Sequence, residues 1–91
     1  IKGGCKTKIY LCSLGGFDTH SAQVAGVDPV AGTHADLLAL LADAVKFFMD
    51  DLQAMGIDEK VVACTFSEFG RCAKENGSTG TDHGTLAPML L

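Results

Sequence analysis

The sequence predicts an α/β fold, a parallel βαβ unit in which a long crossover helix joins two strands. Three observations predict it: an apolar run rich in β-formers at Thr7–Leu14, a second at Lys60–Phe66, and between them apolar residues recurring at steps of three or four. Thr7–Leu14 is nearly continuous in its apolar content and ends on Gly15-Gly16, as a strand covered on both faces does. Residues 21–32 are small and mixed, with Gly26, Pro29 and Gly32, and support only a loop. Loops that long in compact domains are often functional.

Thr33 then offers a hydroxyl N-cap, with Asp36 in place of the glutamate of a capping box. Leu37, Leu41, Val45, Phe48, Leu52 and Met55 form an apolar stripe, Asp36, Asp43 and Asp50 lie opposite, and Gly56 supplies the stop. That pattern predicts a helix of about 22 residues. After a short turn through Ile57, Asp58 and Glu59, Lys60–Phe66 is the second strand. A right-handed crossover would make the strands parallel and bring both carboxyl ends to one edge of the sheet, where open parallel sheets bind ligands.

Ninety-one residues bound this to a single small domain, too short for a complete metallohydrolase. The chain starts without methionine on Ile1-Lys2-Gly3-Gly4 and stops on the apolar Leu86–Leu91, so residues 1–91 read as a fragment of one larger α/β domain. Hydrophobic residues make up 47%, the net charge is -4, and no basic cluster exists to neutralise a row of phosphates, which excludes nucleic acid as an expected partner. No apolar stretch is long enough to span a membrane, and the first residues lack the pattern of a signal peptide. Cys5, Cys12, Cys64 and Cys72 show no Cys-x-x-Cys spacing; Cys12 and Cys64 read as buried small hydrophobes, and a disulfide stays open.

The chemistry-bearing residues fall in three short strings, Phe17-Asp18-Thr19-His20, Phe66-Ser67-Glu68-Phe69-Gly70-Arg71 and Thr81-Asp82-His83-Gly84. Asp18 and His20 are two apart, so on an extended segment both side chains face one way and can share a cation. Asp82 and His83 either both ligate, or one orients another ligand. These four are the expected ligands of a divalent metal, with zinc the candidate. Glu68 is a further ligand, a general base, or the partner of Arg71 in a surface ion pair. Arg71, the only arginine, carries the planar fork that grips phosphate or sulfate oxygens, unless it is spent on Glu68. His34 at the start of the helix reads as exposed. Asn76-Gly77-Ser78 matches a glycosylation acceptor but reads as a turn.

Leu14-Gly-Gly-Phe-Asp-Thr-His-Ser-Ala-Gln23, Phe66-Ser-Glu-Phe-Gly-Arg71 and Glu75-Asn-Gly-Ser-Thr-Gly-Thr-Asp-His-Gly84, in that order, resemble the domain-of-unknown-function 1501 family of bacterial proteins, grouped with the alkaline phosphatase and sulfatase superfamily. The resemblance runs from about Ile9 to Leu91 and corresponds to a C-terminal part of a family member. It implies a partial alkaline phosphatase-like sheet with Asp18, His20 and His83 on one metal and Ser67-Glu68 where a second metal often binds. An alternative alignment sets Thr81–Gly84 at that second position instead. The Asp-x-His spacing is shorter than the Asp-x-x-x-His of alkaline phosphatases, and the superfamily's nucleophile would lie outside residues 1–91. The resemblance further implies part of a metal-dependent hydrolase acting on small phosphate or sulfate esters, incomplete and inactive as the isolated chain, with Glu68 and Arg71 in catalytic roles and a periplasmic or extracellular site. The alternative is a non-catalytic metal- or anion-binding fragment that forms homo-oligomers through unpaired strand edges.

Overall fold

A computed structural model, describing residues 1–91, consists of one long helix, α1 (Thr33–Ala54), a short 3₁₀ turn at Asp58–Lys60, and a two-stranded antiparallel sheet of β1 (Gly70–Arg71) and β2 (His83–Gly84). The fold is thus broadly α/β. Its helix spans 22 residues, as the apolar spacing predicts. Leu37, Leu41 and Met55 of the stripe are half-buried and Leu52 is 1% exposed, whereas Val45 and Phe48 stay exposed.

The two helix ends are built differently. At the start, Gly32 rather than Thr33 is the cap: no side chain bonds the first turn, and the Gly32 carbonyl accepts from Asp36 N–H at 3.0 Å. Gly32 has φ of 116°, and a Cβ there would stand 2.6 Å from Ala25 N, so only glycine fits between the loop and the helix. At the far end Gly56 N–H bonds Gln53 O (2.9 Å) and Ile57 N–H bonds Leu52 O (3.1 Å), a Schellman motif with Gly56 at φ of 65°. A Cβ at Gly56 meets nothing within 4 Å, so Gly56→Ala is expected to cost only the backbone strain, about 1 kcal/mol by chemical denaturation. An unchanged midpoint would count against this account of the helix stop.

The runs 7–14 and 60–66 form no ladder with each other. No backbone hydrogen bond reaches residues 7–14, and the second run's single long-range backbone bond joins Thr65 N–H to Leu90 O at 3.0 Å. Two parallel strands with one helix leave one sheet face and both outer edges in water, and parallel ladders tolerate such exposure poorly. Ile9, Leu11, Val62 and Phe66 are accordingly 86%, 76%, 84% and 69% exposed. Cys12 and Cys64, expected to be buried in those runs, are instead exposed, and all four cysteines are free.

The accessible surface, 7268 Å², compares with about 5,000 Å² for a compact chain of this mass, and the radius of gyration, 16.3 Å, with about 12 Å. Leu52 is the only buried apolar side chain, so order rests on local turns and polar cross-links more than on a core. Between α1 (Leu38, Val45, Met49) and the segment Val61–Thr65 runs an open apolar groove of about 790 Å³, lined also by Leu90 and Leu91. No helix is long and apolar enough to cross a membrane.

Candidate metal centre

Three loops meet beside the start of α1, and small residues let them approach. Gly16, at φ of 96°, turns the chain onto α1, where a Cβ would stand 3.1 Å from Leu37 Cδ2. A tight turn closed by Thr19 N–H to Phe17 O (2.9 Å) then centres on Asp18. Ala22 and Gln23 N–H donate to Ser78 O and Thr79 O, both at 3.0 Å, which zips the segment after His20 to the glycine-rich loop. Gly80 is buried in that contact, its absent Cβ leaving room for the His20 backbone. The β1/β2 pair, in register Arg71↔His83, delivers the third motif to the same place.

Asp18, His20 and His83 are thereby brought together, with one donor atom from each lying within 4.8 Å of the others. Asp18 Oδ1 is 2.8 Å from His83 Nε2 and 3.0 Å from His20 Nε2, and the rings stand 4.7 Å apart between centroids. A tetrahedral zinc with bonds of 2.0–2.1 Å sets its ligand atoms about 3.3 Å apart, so the two measured edges are near those of a zinc site. Two imidazole nitrogens and one carboxylate oxygen are also a donor set that zinc and similar divalent ions accept. All three side chains are about half exposed or more, and their outer side is open to water.

Asp82 sits on the far side of His20, its Oδ1 3.4 Å from Nδ1. A carboxylate there favours hydrogen on Nδ1 and leaves the Nε2 lone pair facing Asp18 and His83, the pattern of an oriented metal-binding imidazole. His83 is held otherwise: Phe69 stacks on its ring at 4.1 Å, and the Arg71 guanidinium lies 5.0 Å over the other partner of that stack, the Phe69 ring.

The site is electrostatically polarised. The hydrogen bond from His83, helped by the charge of both imidazoles, holds the Asp18 carboxyl below the usual aspartate range. The Asn76 amide, then His20, does the same for Asp82. Depressed carboxyls stabilise the folded loops at pH above the ordinary aspartate value, and that contribution fades as pH falls through the lower folded values.

Glu68 and Arg71 take places the sequence does not show. Glu68 is exposed, pairs with nothing, and stands outside the cluster, although its neighbour Phe69 touches His83. No Glu68–Arg71 ion pair forms: Arg71 turns inward, 20% exposed, donating Nη1 to Thr81 O and Nη2 to Phe17 O, with Nη2 4.0 Å from Asp18 Oδ1. Its fork ties the loop that carries Asp18 to the loop that carries His83. Lysine cannot span two carbonyls in that way. For a zinc ion held by this cluster, Arg71→Lys would be expected to weaken binding about tenfold in competition with a chromophoric chelator, and wild-type affinity in the variant would refute the strut.

The cross-loop bonds of Gln23 and Asn76 escape sequence reading. Gln23 Nε2 donates to Thr19 O (2.8 Å) and to Thr81 Oγ1 (3.1 Å), joining the same two loops. Asn76 has the turn-forming character its glycine-rich setting suggests, but its reach to His20 and Asp82 does not follow from that setting. His34 donates its backbone N–H to Gln23 O (3.0 Å), and its exposed side chain stands apart from the cluster.

A family model described as "Protein of unknown function (DUF1501)" matches residues 6–91. No curated protein and no solved structure matches the chain.

Proposed function

Because the chain belongs to the DUF1501 family of proteins of unknown function over residues 6–91, and three of its four expected metal ligands share one rim, we propose that it is part of a metal-dependent hydrolase-like domain acting on small phosphate or sulfate esters. The observation that carries the reading is the convergence of His20 Nε2, His83 Nε2 and Asp18 Oδ1, with Asp82 backing His20. In this reading Asp18, His20 and His83 hold a divalent ion, for which zinc is the candidate, and Asp82 orients rather than ligates. When bound, that ion would supply Lewis acidity toward an ester oxygen and toward an attacking nucleophile.

The chain's own groups do the rest. Asp82 keeps the His20 Nε2 lone pair directed inward, Phe69 fixes the His83 ring, and Arg71 holds the two ligand loops at one separation. Glu68, exposed, without an ion-pair partner and next to Phe69 in the chain, would be the carboxylate available to accept a proton from an incoming hydroxyl or water. The reading places the family with the alkaline phosphatase and sulfatase-like superfamily and makes residues 7–14 and 60–66 parallel strands of a larger sheet. Their uncovered apolar side chains and the open groove along α1 support that placement.

The test uses inorganic phosphate and sulfate as probes. Calorimetric titration is expected to show either anion binding to the zinc-loaded chain and neither binding to the metal-free chain. Zinc-loaded protein that ignores both anions would overturn the ester reading. The exposed apolar surface favours a second reading, a non-catalytic metal- or anion-binding fragment that associates with itself. Light scattering on the chain would then report a mass above 9.5 kDa, and a stable monomer would remove that reading.

A further inference from the structure

Among the polar groups behind the cluster, Asn76 bonds both the His20 backbone and the Asp82 carboxylate. Nδ2 donates to His20 O at 2.8 Å and to Asp82 Oδ1 at 3.0 Å. Oδ1 accepts from Ser78 N–H at 2.9 Å and from Gly80 N–H at 3.2 Å. The backbone adds a fifth bond, Asn76 N–H to Gly80 O at 2.8 Å. Reversing the amide would set its NH₂ against two backbone donors, so the orientation is fixed by the turn itself.

We infer that Asn76 is a positioning residue of the metal site, pinning the His20 backbone and the Asp82 carboxylate together so that Asp82 backs the His20 ring. The inference rests on the metal reading proposed above. The acceptor half of the amide folds the 76–80 turn, whereas the donor half aims outward and does the positioning. These two jobs use different atoms and separate on substitution. The sequon Asn76-Gly77-Ser78 also takes on a meaning here. Glycosylation would consume one of the two Nδ2 hydrogens, and both are already committed, one to His20 O and one to Asp82 Oδ1.

Asn76→Asp divides the two jobs, because a carboxylate still accepts from Ser78 and Gly80 N–H but cannot donate, and its charge repels Asp82. In the full chain, zinc affinity measured by chelator competition is expected to fall 10- to 100-fold, the range for losing an orienting partner. Amide exchange at Ser78 and Gly80 should stay at the wild-type rate. The visible spectrum of the cobalt-substituted variant should shift in intensity, reporting altered ligand geometry. Asn76→Ala removes both halves and should lose the protection as well as the affinity. Wild-type zinc affinity in Asn76→Asp would overturn the inference, and so would an affinity loss accompanied by loss of Ser78 and Gly80 protection, which marks a purely structural role. A wild-type chain that takes up no zinc would instead overturn the metal reading on which the inference stands. The His20→Ala control separates that failure from the other two.

Discussion

Asp18→Ala is expected to abolish measurable zinc binding, with an affinity loss beyond the 100-fold upper range for an outer partner. One oxygen, Asp18 Oδ1, faces both histidines, at 2.8 and 3.0 Å, and also has the Arg71 guanidinium 4.0 Å away. Removing it deletes the only carboxylate in the cluster and leaves two exposed imidazoles whose rings, 4.7 Å apart, repel each other when protonated. Asp18→Asn is the sharper comparison, since an amide oxygen keeps the shape and loses the charge. It should retain the turn at Asp18 while binding zinc far more weakly. Zinc affinity within a fewfold of wild type in Asp18→Ala would mean that the ion sits elsewhere.

Gly80→Ala is expected to have the largest effect on the architecture of the site. A Cβ at Gly80 would lie 2.4 Å from both C and O of His20 and 2.7 Å from Ser21 N. Those are backbone atoms, which cannot swing aside as the end of a flexible side chain can, so the two loops must separate. Overpacking of this kind costs roughly 1–3 kcal/mol. The damage should be local: Ala22 and Gln23 amides, bonded to Ser78 O and Thr79 O, should lose exchange protection while α1 keeps its own. Zinc affinity should fall with them, because Asp82 and His83 come soon after Gly80 in the chain. Wild-type protection at Ala22 and Gln23 would show that the loops are not held together through Gly80.

The helix is legible in the sequence because its cause is local. Leu37, Leu41, Leu52 and Met55 recur at the helical period and end on Gly56, and the same residues are the most covered of the stripe. Its first cap is less legible: Thr33 has the right hydroxyl, but the loop at Ala25 packs so closely on Gly32 that the backbone supplies the cap. The runs 7–14 and 60–66 carry strand chemistry, yet a ladder is a property of neighbours and cannot be read from one segment. The β1/β2 pair is invisible for the opposite reason, since Gly70 and Gly84 are poor strand formers that pair because they lack side chains. A Cβ at Gly70 would stand 2.4 Å from Gly84 O.

Within the site, Asp18, His20 and His83 are legible because their types and their places after apolar runs or glycine turns point to one chemistry. Asp82 is legible only as one of two roles, and its position behind His20 selects between them for the reading proposed here. Arg71 is legible in sequence only as a lone guanidinium suited to an anion; the turn of its fork onto Phe17 O and Thr81 O is set by tertiary packing. Gln23 and Asn76 lie within strings that stand out in the sequence, but nothing in those strings shows what their side chains reach. Their importance lies in bonds across more than fifty residues, from Gln23 to Thr81 and from Asn76 to His20.

X-ray absorption at the zinc edge tests the central claim most directly, because the four exposed free cysteines are the obvious competitors for the ion. The account predicts a shell of nitrogen and oxygen neighbours at about 2.0–2.1 Å in the zinc-loaded chain, lost in His20→Ala and His83→Ala. A sulfur shell at about 2.3 Å, or a spectrum unchanged by those substitutions, would contradict it.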